Sequence, residues 1–253
     1  MWLRFLIMAA ALFGTAITAS AHDQNYELEG DYLYRVTTLR AEAGSFEELL
    51  NWFSDIKTSD YFKDSGDHAP FIMRHSQGDQ WDLILILPME SWEVFYSGEA
   101  SKKRKAIGKG YADRFTQGLS KVAFAEELYA YGPDLKDFKT AYNENGLYHI
   151  EMFHAAAGKT AELYKQRQME NEYLSSTGQI ANMIFRRAGG SDVDVFTIGF
   201  HKDFKSFTAD APATPAEKEQ AAKDAGFKDR ADLSFYLRSL LNGHHDTFAT
   251  KVD

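Results

Sequence analysis

Hydrophobic and polar residues alternate along several short segments of this chain and recur at helical spacing in others. DYLYRVTTLR, which starts at Asp31, is rich in β-branched and aromatic residues and predicts a strand. The next segment, SFEELLNWFSDI, carries apolar residues three and four positions apart and predicts a helix. Two further strands flank a hairpin around Gly78, and a charged helical stretch and the strand VAFAEELYAYG follow. The predicted order is strand, helix, strand, strand, helix, strand.

The same order occurs a second time. YRVTTLRAEAGSFEEL from Tyr34 and YHIEMFHAAAGKTAEL from Tyr148 share 6 of 16 residues, and the second hairpin is centred on Gly190. A period above one hundred residues has the size of a domain, so we interpret the pattern as a duplicated domain. The predicted boundaries are a first repeat over 22–132, a linker over 133–146 that begins with Pro133, and a second repeat over 147–253.

A βαββαβ unit whose first strand leads into an Ala-Gly step, as in TLRAEAG and MFHAAAG, resembles the dimeric α/β-barrel (ferredoxin-like) superfamily. That superfamily includes antibiotic-biosynthesis monooxygenases, NIPSNAP-like proteins and haem-using chlorite dismutases. The resemblance implies an α+β fold in which two tandem units pair into one intramolecular barrel, with helices outside and a ligand cavity inside. A sheet with helices on one face must bury its other face, which supports this arrangement.

The first 21 residues, MWLRFLIMAAALFGTAITASA, combine one arginine, an apolar run and small residues at Ala19 and Ala21. They predict a signal peptide over 1–21 and a periplasmic or secreted protein. The chain has no cysteine, so it has neither disulfides nor a thiol nucleophile. The net charge of -9 becomes one unit more negative once Arg4 is removed, which argues against nucleic acid or an anionic membrane as the main partner. We expect a monomer or homodimer with a small-molecule ligand.

Strand alternation indicates which side chains share a face. Tyr34 and Val36 belong to the more apolar set of the first strand, so we predict that this set packs under the helices. The polar residues at the alternate positions of the two first strands are then predicted to point into the barrel: Arg35, Thr37, His149 and Glu151. We predict ligand binding by Arg35, Thr37 and Tyr129, and catalysis by His149 and Glu151, because polar groups in an apolar cavity are costly unless paired or used. The alternative is that His149 and Glu151 lie at the barrel rim or pair with each other, satisfied and without a functional role.

Two further sets of residues are candidates for chemistry or pairing. His245 is predicted to face the cavity beside His149 as a third catalytic residue, the alternative being a polar strand start in water. Arg74 with Asp82, and Arg186 with Asp194, are symmetric about the two hairpin glycines and predict cross-strand ion pairs.

The sequence therefore predicts an exported protein that binds a small, largely apolar ligand inside the barrel. A monooxygenase-like or haem-dependent enzyme of the same fold is the first alternative. A structural or interaction protein with a filled barrel is the second. The sequence presents no complete metal site, and the cofactor stays open.

Overall fold

The computed structural model describes residues 30–107, 118 and 120–252, so the predicted signal peptide lies outside the described residues. The strands are β1 (Tyr32–Ala41), β2 (Phe71–Gln77), β3 (Leu83–Glu90), β4 (Val122–Gly132), β5 (Leu147–Ala155), β6 (Met183–Gly190), β7 (Val195–His201) and β8 (Leu241–Lys251). The helices in the described part are α1 (Phe46–Thr58), α2 (Tyr61–Ser65), α3 (Trp92–Phe95), α4 (Gly98–Ile107), α5 (Leu135–Glu144), α6 (Thr160–Ser176), α7 (Phe204–Phe207), α8 (Pro215–Asp224) and α9 (Asp232–Ser239).

The eight strands are antiparallel to their neighbours and close into one barrel in the order β1-β3-β2-β8-β5-β7-β6-β4. The first four strands of the chain are contiguous in this ring, and so are the last four. The two halves meet at two seams, where β2 pairs with β8 and β4 pairs with β6. The predicted α+β class is confirmed.

Apolar side chains from all eight strands fill the barrel interior. The buried strand residues of this core include Tyr34, Val36, Met73, Ile84, Ile86, Leu128, Ala130, Tyr148, Ile150, Met152, Phe185, Phe196, Ile198, Phe200 and Ala249. The rings of Phe185 and Phe196 stack with their centroids 4.4 Å apart. Separate cores lie on the helix side of each half, against α1 and against α6.

This packing reverses the predicted orientation of the first strands. Tyr34 and Val36 face the interior with Tyr148 and Ile150. The polar residues that we predicted to point inward lie on the helix side of the sheet instead: Arg35, Thr37, His149 and Glu151. That part of the prediction was wrong. A closed barrel excludes water from its centre and takes the more apolar face, whereas helices cover the other face only in part.

The segment predicted as a linker, residues 133–146, forms α5 and closes one end of the barrel. Phe138 is fully buried, and its ring lies 4.7 Å from that of Phe71 and 5.6 Å from those of Tyr34 and Phe200. The Tyr142 hydroxyl donates a 2.8 Å hydrogen bond to the carbonyl oxygen of Ile72. We call this the α5 end, and the opposite end, where both hairpins turn, the hairpin end.

The hairpin register differs from the prediction by one residue in both halves. Arg74 pairs with Leu83, and Arg186 pairs with Val195. The predicted Arg74–Asp82 and Arg186–Asp194 pairs are therefore wrong, because a slip of one residue moves a side chain to the other face. Asp82 and Asp194 have a different shared role. Each carboxylate accepts a 2.8 Å hydrogen bond from the backbone N–H at the end of a first strand, Ala41 in one half and Ala155 in the other.

Candidate functional site

Arg35 and Tyr129, two of the predicted ligand-binding residues, are direct neighbours across the β1–β4 ladder. The Arg35 Nε lies 3.9 Å from the Glu127 carboxylate, and the Arg35 side chain is 32% exposed. Thr37, the third predicted ligand-binding residue, pairs with Glu127 one step further along. A partly exposed pair at this distance contributes about 0.2–1 kcal/mol, so the guanidinium keeps binding capacity for another group.

The cross-strand neighbour of this arginine, Tyr129, belongs to a group of aromatic side chains. The Trp92 ring lies 4.8 Å from the Tyr129 ring and stacks on the Tyr96 ring at 6.0 Å. The hydroxyl oxygens of Tyr96 and Tyr129 are 3.4 Å apart. We call the group formed on this side of the N-terminal sheet the Arg35 cluster: Arg35, Tyr61, Trp92, Tyr96, Glu127 and Tyr129.

Two phenols of the Arg35 cluster, Tyr129 and Tyr61, have a pKa above the ordinary tyrosine value. Burial is the largest cause that raises the pKa of Tyr129, and the hydrogen bond with Tyr96 and the charge of Glu127 add to it, while Arg35 opposes them. Burial likewise raises the pKa of Tyr61, and the charge of Asp67 adds to it. The cluster therefore offers one permanent cation and neutral hydroxyl donors beside ring faces, a combination that suits an aromatic molecule with a polar oxygen.

The equivalent place in the C-terminal half is more tightly packed. His149 pairs with Phe248 as Arg35 pairs with Tyr129. Its imidazole lies 5.2 Å from the Phe207 ring and 5.1 Å from the Phe248 ring. Burial and the neighbouring His149 lower the pKa of His201, which keeps that imidazole neutral. A histidine packed between two phenylalanine rings is a poor fit for an axial haem ligand, so we derive no step through haem at this position.

Glu151 belongs to a charged network between β5 and α6. Its carboxylate accepts a 3.0 Å hydrogen bond from the Thr197 hydroxyl and lies 3.7 Å from the Arg167 guanidinium. Arg167 also binds Glu170, and its side chain is only 1% exposed. Burial raises the pKa of Glu170, with Arg167 opposing the shift and Glu151 adding to it. Glu151 is thus satisfied within the fold, by Thr197 and Arg167 beneath α6 and neither at the barrel rim nor by His149.

His245 lies at the hairpin end, and the prediction that it sits beside His149 was wrong. It pairs with Met152, and its ring lies 5.6 Å from the ring of His154. Both histidines line a cavity of about 700 Å³. The His154 Nδ1 lies 3.5 Å from Asp192, and the His245 Nδ1 lies 3.8 Å from Asp79.

The remaining charges of this cavity pair with one another. The Arg187 guanidinium lies 2.6 Å from Asp194, which also accepts hydrogen bonds from the Thr160 hydroxyl and the Ala155 N–H. No group of three or more histidine, aspartate or glutamate side chains in residues 30–107 and 120–252 is arranged to hold a metal ion. Within the same ranges, no helix has the length and apolar character needed to cross a bilayer.

Trp92 and Tyr96 in the Arg35 cluster, and Arg167 in the charged network, were not predicted as site residues. SWEVFY directly follows the third strand, and its counterpart DFKSF follows the seventh. Trp92 could have been identified from the aromatic residues in this short segment, because the segment directly follows a predicted strand. Sequence spacing gave no indication that Arg167, on α6, reaches Glu151 on β5.

The chain has the fold of the dimeric α/β-barrel (ferredoxin-like) superfamily, as the resemblance implied. An anthrone oxidase-like protein of known structure superposes with a TM-score of 0.56 at 11% identity, covering 89% of this chain and 93% of that one. A variant chlorite dismutase from Candidatus Nitrospira defluvii gives a TM-score of 0.45 at 10% identity over 88% and 92% of the two chains. No protein-family model matches, and no curated protein sequence matches either.

Proposed function

We propose that the protein binds a small, planar, largely apolar molecule at the Arg35 cluster. The observation that carries this proposal is the Arg35 guanidinium, which is 32% exposed and lies 3.9 Å from the Glu127 carboxylate. Its cross-strand neighbour Tyr129 packs against Trp92 at 4.8 Å. The rings bury the apolar part of the ligand, and Arg35 with the Tyr129 hydroxyl binds its polar oxygen. We place the ligand on the helix side because buried rings occupy the barrel interior.

The cavity at the hairpin end is the less favoured site, although its volume of about 700 Å³ falls within the range of small-molecule pockets. The arginine of this cavity, Arg187, is engaged by Asp194 at 2.6 Å, and Asp194 also accepts hydrogen bonds from the Thr160 hydroxyl and the Ala155 N–H. A ligand that bound there would have to break contacts within the protein. Within the described part of the chain, the ion pair recorded for Arg35 is the 3.9 Å contact with Glu127.

Anthrone is a suitable probe, because the anthrone oxidase-like protein shares this fold. Titration calorimetry and tryptophan fluorescence measure its binding to the purified mature chain. The change Arg35→Gln should weaken binding by about 10-fold to 150-fold, the value of one charged hydrogen bond of about 1.5–3 kcal/mol. Tyr129→Phe should weaken it by a smaller factor.

Two variants serve as controls. Arg40→Gln removes an exposed arginine from the same strand, and His149→Gln changes the equivalent position of the other half. Both should bind the probe as the wild type does. Equal affinity of wild type and Arg35→Gln would refute the proposed site.

An oxygenase activity at the same cluster is the second candidate, and the position of Arg35 favours it. A cation beside the ligand oxygen stabilises the anion that forms when the opposite ring carbon loses a proton. The balanced reaction converts the ring CH₂ and one O₂ into C=O and one H₂O. An oxygen electrode distinguishes the two candidates, since binding alone consumes no O₂.

Two parts of the sequence prediction accompany this function as proposals. We propose that residues 1–21 direct export, supported by their apolar run and small residues before the predicted cleavage position. We also propose that the two halves are tandem ferredoxin-like repeats, supported by the matched segments that begin at Tyr34 and Tyr148. Mass spectrometry of the exported protein tests the first, with His22 expected as the new N-terminal residue.

A further inference from the structure

Two one-turn helices, α3 and α7, expose apolar side chains at equivalent places in the two halves. Val94 and Tyr96 near α3 are 48% and 52% exposed, and Phe204 on α7 is 57% exposed. Single exposed apolar side chains are ordinary on a protein surface, so the charges beside them decide whether these two places fit a partner. Both helices begin with a side-chain cap, so these residues stand on ordered backbone.

The charges around these side chains have opposite signs. Glu90 and Glu93 are exposed beside Val94 and Tyr96, and we call these four residues the α3 surface. Lys202 and Lys205 are exposed around Phe204, and we call these three residues the α7 surface. The one carboxylate among them, that of the exposed Asp203, caps α7 by accepting a 2.7 Å hydrogen bond from the Ser206 N–H, so the lysines leave this surface with a net positive charge. Two lysines beside one exposed ring are distinctive in a chain with a net charge of -9.

The two surfaces of one chain cannot meet. They follow β3 and β7, which lie four places apart in a ring of eight strands and therefore on opposite sides of the barrel. Both strands run toward the α5 end. Only a second molecule can bring an α3 surface and an α7 surface together.

We propose that the protein associates with a second copy of itself, with the α3 surface of one chain against the α7 surface of the next. Phe204 packs on Val94 and Tyr96, and the lysines face the glutamates. Contacts between like surfaces are disfavoured, because they would bring glutamates together or lysines together. A contact between unlike surfaces either closes into a ring or continues to further chains. Phe204 is held for this role by Phe207 and Phe248, whose rings lie 5.8 and 5.4 Å from it.

Sedimentation velocity of the mature chain, without ligand, tests the proposal across a wide range of protein concentration. The wild type should gain mass as concentration rises, and added salt should weaken the effect. Phe204→Ser, Glu93→Lys and Lys205→Glu should each weaken association by about tenfold or more. Phe235→Ser is the matched control, because that phenylalanine is 70% exposed on α9, away from both surfaces.

Mixing the two charge variants provides the sharpest test. Alone, Glu93→Lys and Lys205→Glu should each associate about tenfold or more weakly than the wild type, since each opposes like charges. An equimolar mixture should regain the association of the wild type, because both contacts are then matched. A wild type that stays monomeric at all concentrations, or a mixture that behaves as its components do, would overturn the proposal. Because Tyr96 also belongs to the Arg35 cluster, measuring without ligand separates this outcome from the result for ligand binding.

Discussion

Replacing Arg167 with methionine should strongly destabilise the C-terminal half of the barrel. The guanidinium is enclosed between Glu151 on β5 and Glu170 on its own helix, and it lies over the Phe153 ring at 4.7 Å. Methionine has a similar length and no charge. The change therefore leaves two neighbouring carboxylates beneath α6 without their cation.

The expected cost follows from the burial of this network. The Arg167 side chain is 1% exposed, while those of Glu151 and Glu170 are 15% and 23% exposed. Removing one partner from a buried charge network costs about 3–5 kcal/mol, a large share of a typical free energy of unfolding of about 5–15 kcal/mol. With a denaturant slope of about 1–3 kcal/mol per molar urea, the unfolding midpoint should fall by roughly 1–5 M.

Urea denaturation, monitored by circular dichroism at several pH values, measures this loss of stability and shows whether it grows or shrinks as the pH falls. Because burial raises the pKa of Glu170, the folded state keeps that proton at pH values where the unfolded chain has released it. The stability from this group is present below the ordinary glutamate pKa of about 4.3 and is lost as the pH rises through the raised value. Arg167→Met removes the opposing cation, so its deficit should be largest at neutral pH and shrink as the solution is acidified.

Glu170→Gln is the matched control. It leaves one arginine facing one carboxylate, so its stability at neutral pH should lie within about 1 kcal/mol of the wild type, with a flatter dependence on pH. A loss below about 1 kcal/mol for Arg167→Met at neutral pH would refute this account. So would a deficit that grows in acid.

Three further changes test the packing. Phe138→Ala should cost about 3–5 kcal/mol in thermal unfolding, because it removes a fully buried ring from the α5 end. Gly190→Ala should cost more than Gly158→Ala: both have positive φ (91° and 76°), but a Cβ at 190 would lie 2.3 Å from a carbonyl oxygen of β4, and one at 158 meets nothing within 4 Å. Asp194→Asn should speed hydrogen exchange of the Ala155 amide, because it weakens the ion pair that holds the accepting carboxylate in place.

The order of the elements could be predicted from the sequence, but the direction in which the first strands face could not. Periodicity separates Tyr34 and Val36 from Arg35 and Thr37 without indicating which set lies inside. Both faces of each sheet are covered, one by helices and one by the opposite sheet, so the choice depends on which side is drier. That difference arises only when the barrel closes. The hairpin register that places Asp82 could not be predicted for a similar reason. It depends on the length of the hairpin loop, and a difference of one residue moves a side chain to the other face of the sheet.

Closure of the barrel also explains why certain residues recur in both halves. Gly78 and Gly190 recur at the two hairpins, where turn geometry alone would account for them. In the structure each also lies at a seam: a Cβ at Gly78 would meet the Asp246 carbonyl oxygen at 2.0 Å, and one at Gly190 would meet that of Glu127 at 2.3 Å. Glycine is therefore required where the strands of one half pass the backbone of the other.

Some of the positions that differ between the halves lie on the helix side near α3 and α7. Arg35 stands opposite Tyr129 where His149 stands opposite Phe248, and Trp92 of α3 occupies the place of Phe204 on α7. Recurrence thus marks the constraints of closing the barrel, which act equally on both halves. A ligand site and a charged docking surface need no such symmetry. For this reason Arg35 and partly exposed aromatic rings can lie on one side of the barrel, while a packed His149 and an exposed Phe204 lie on the other.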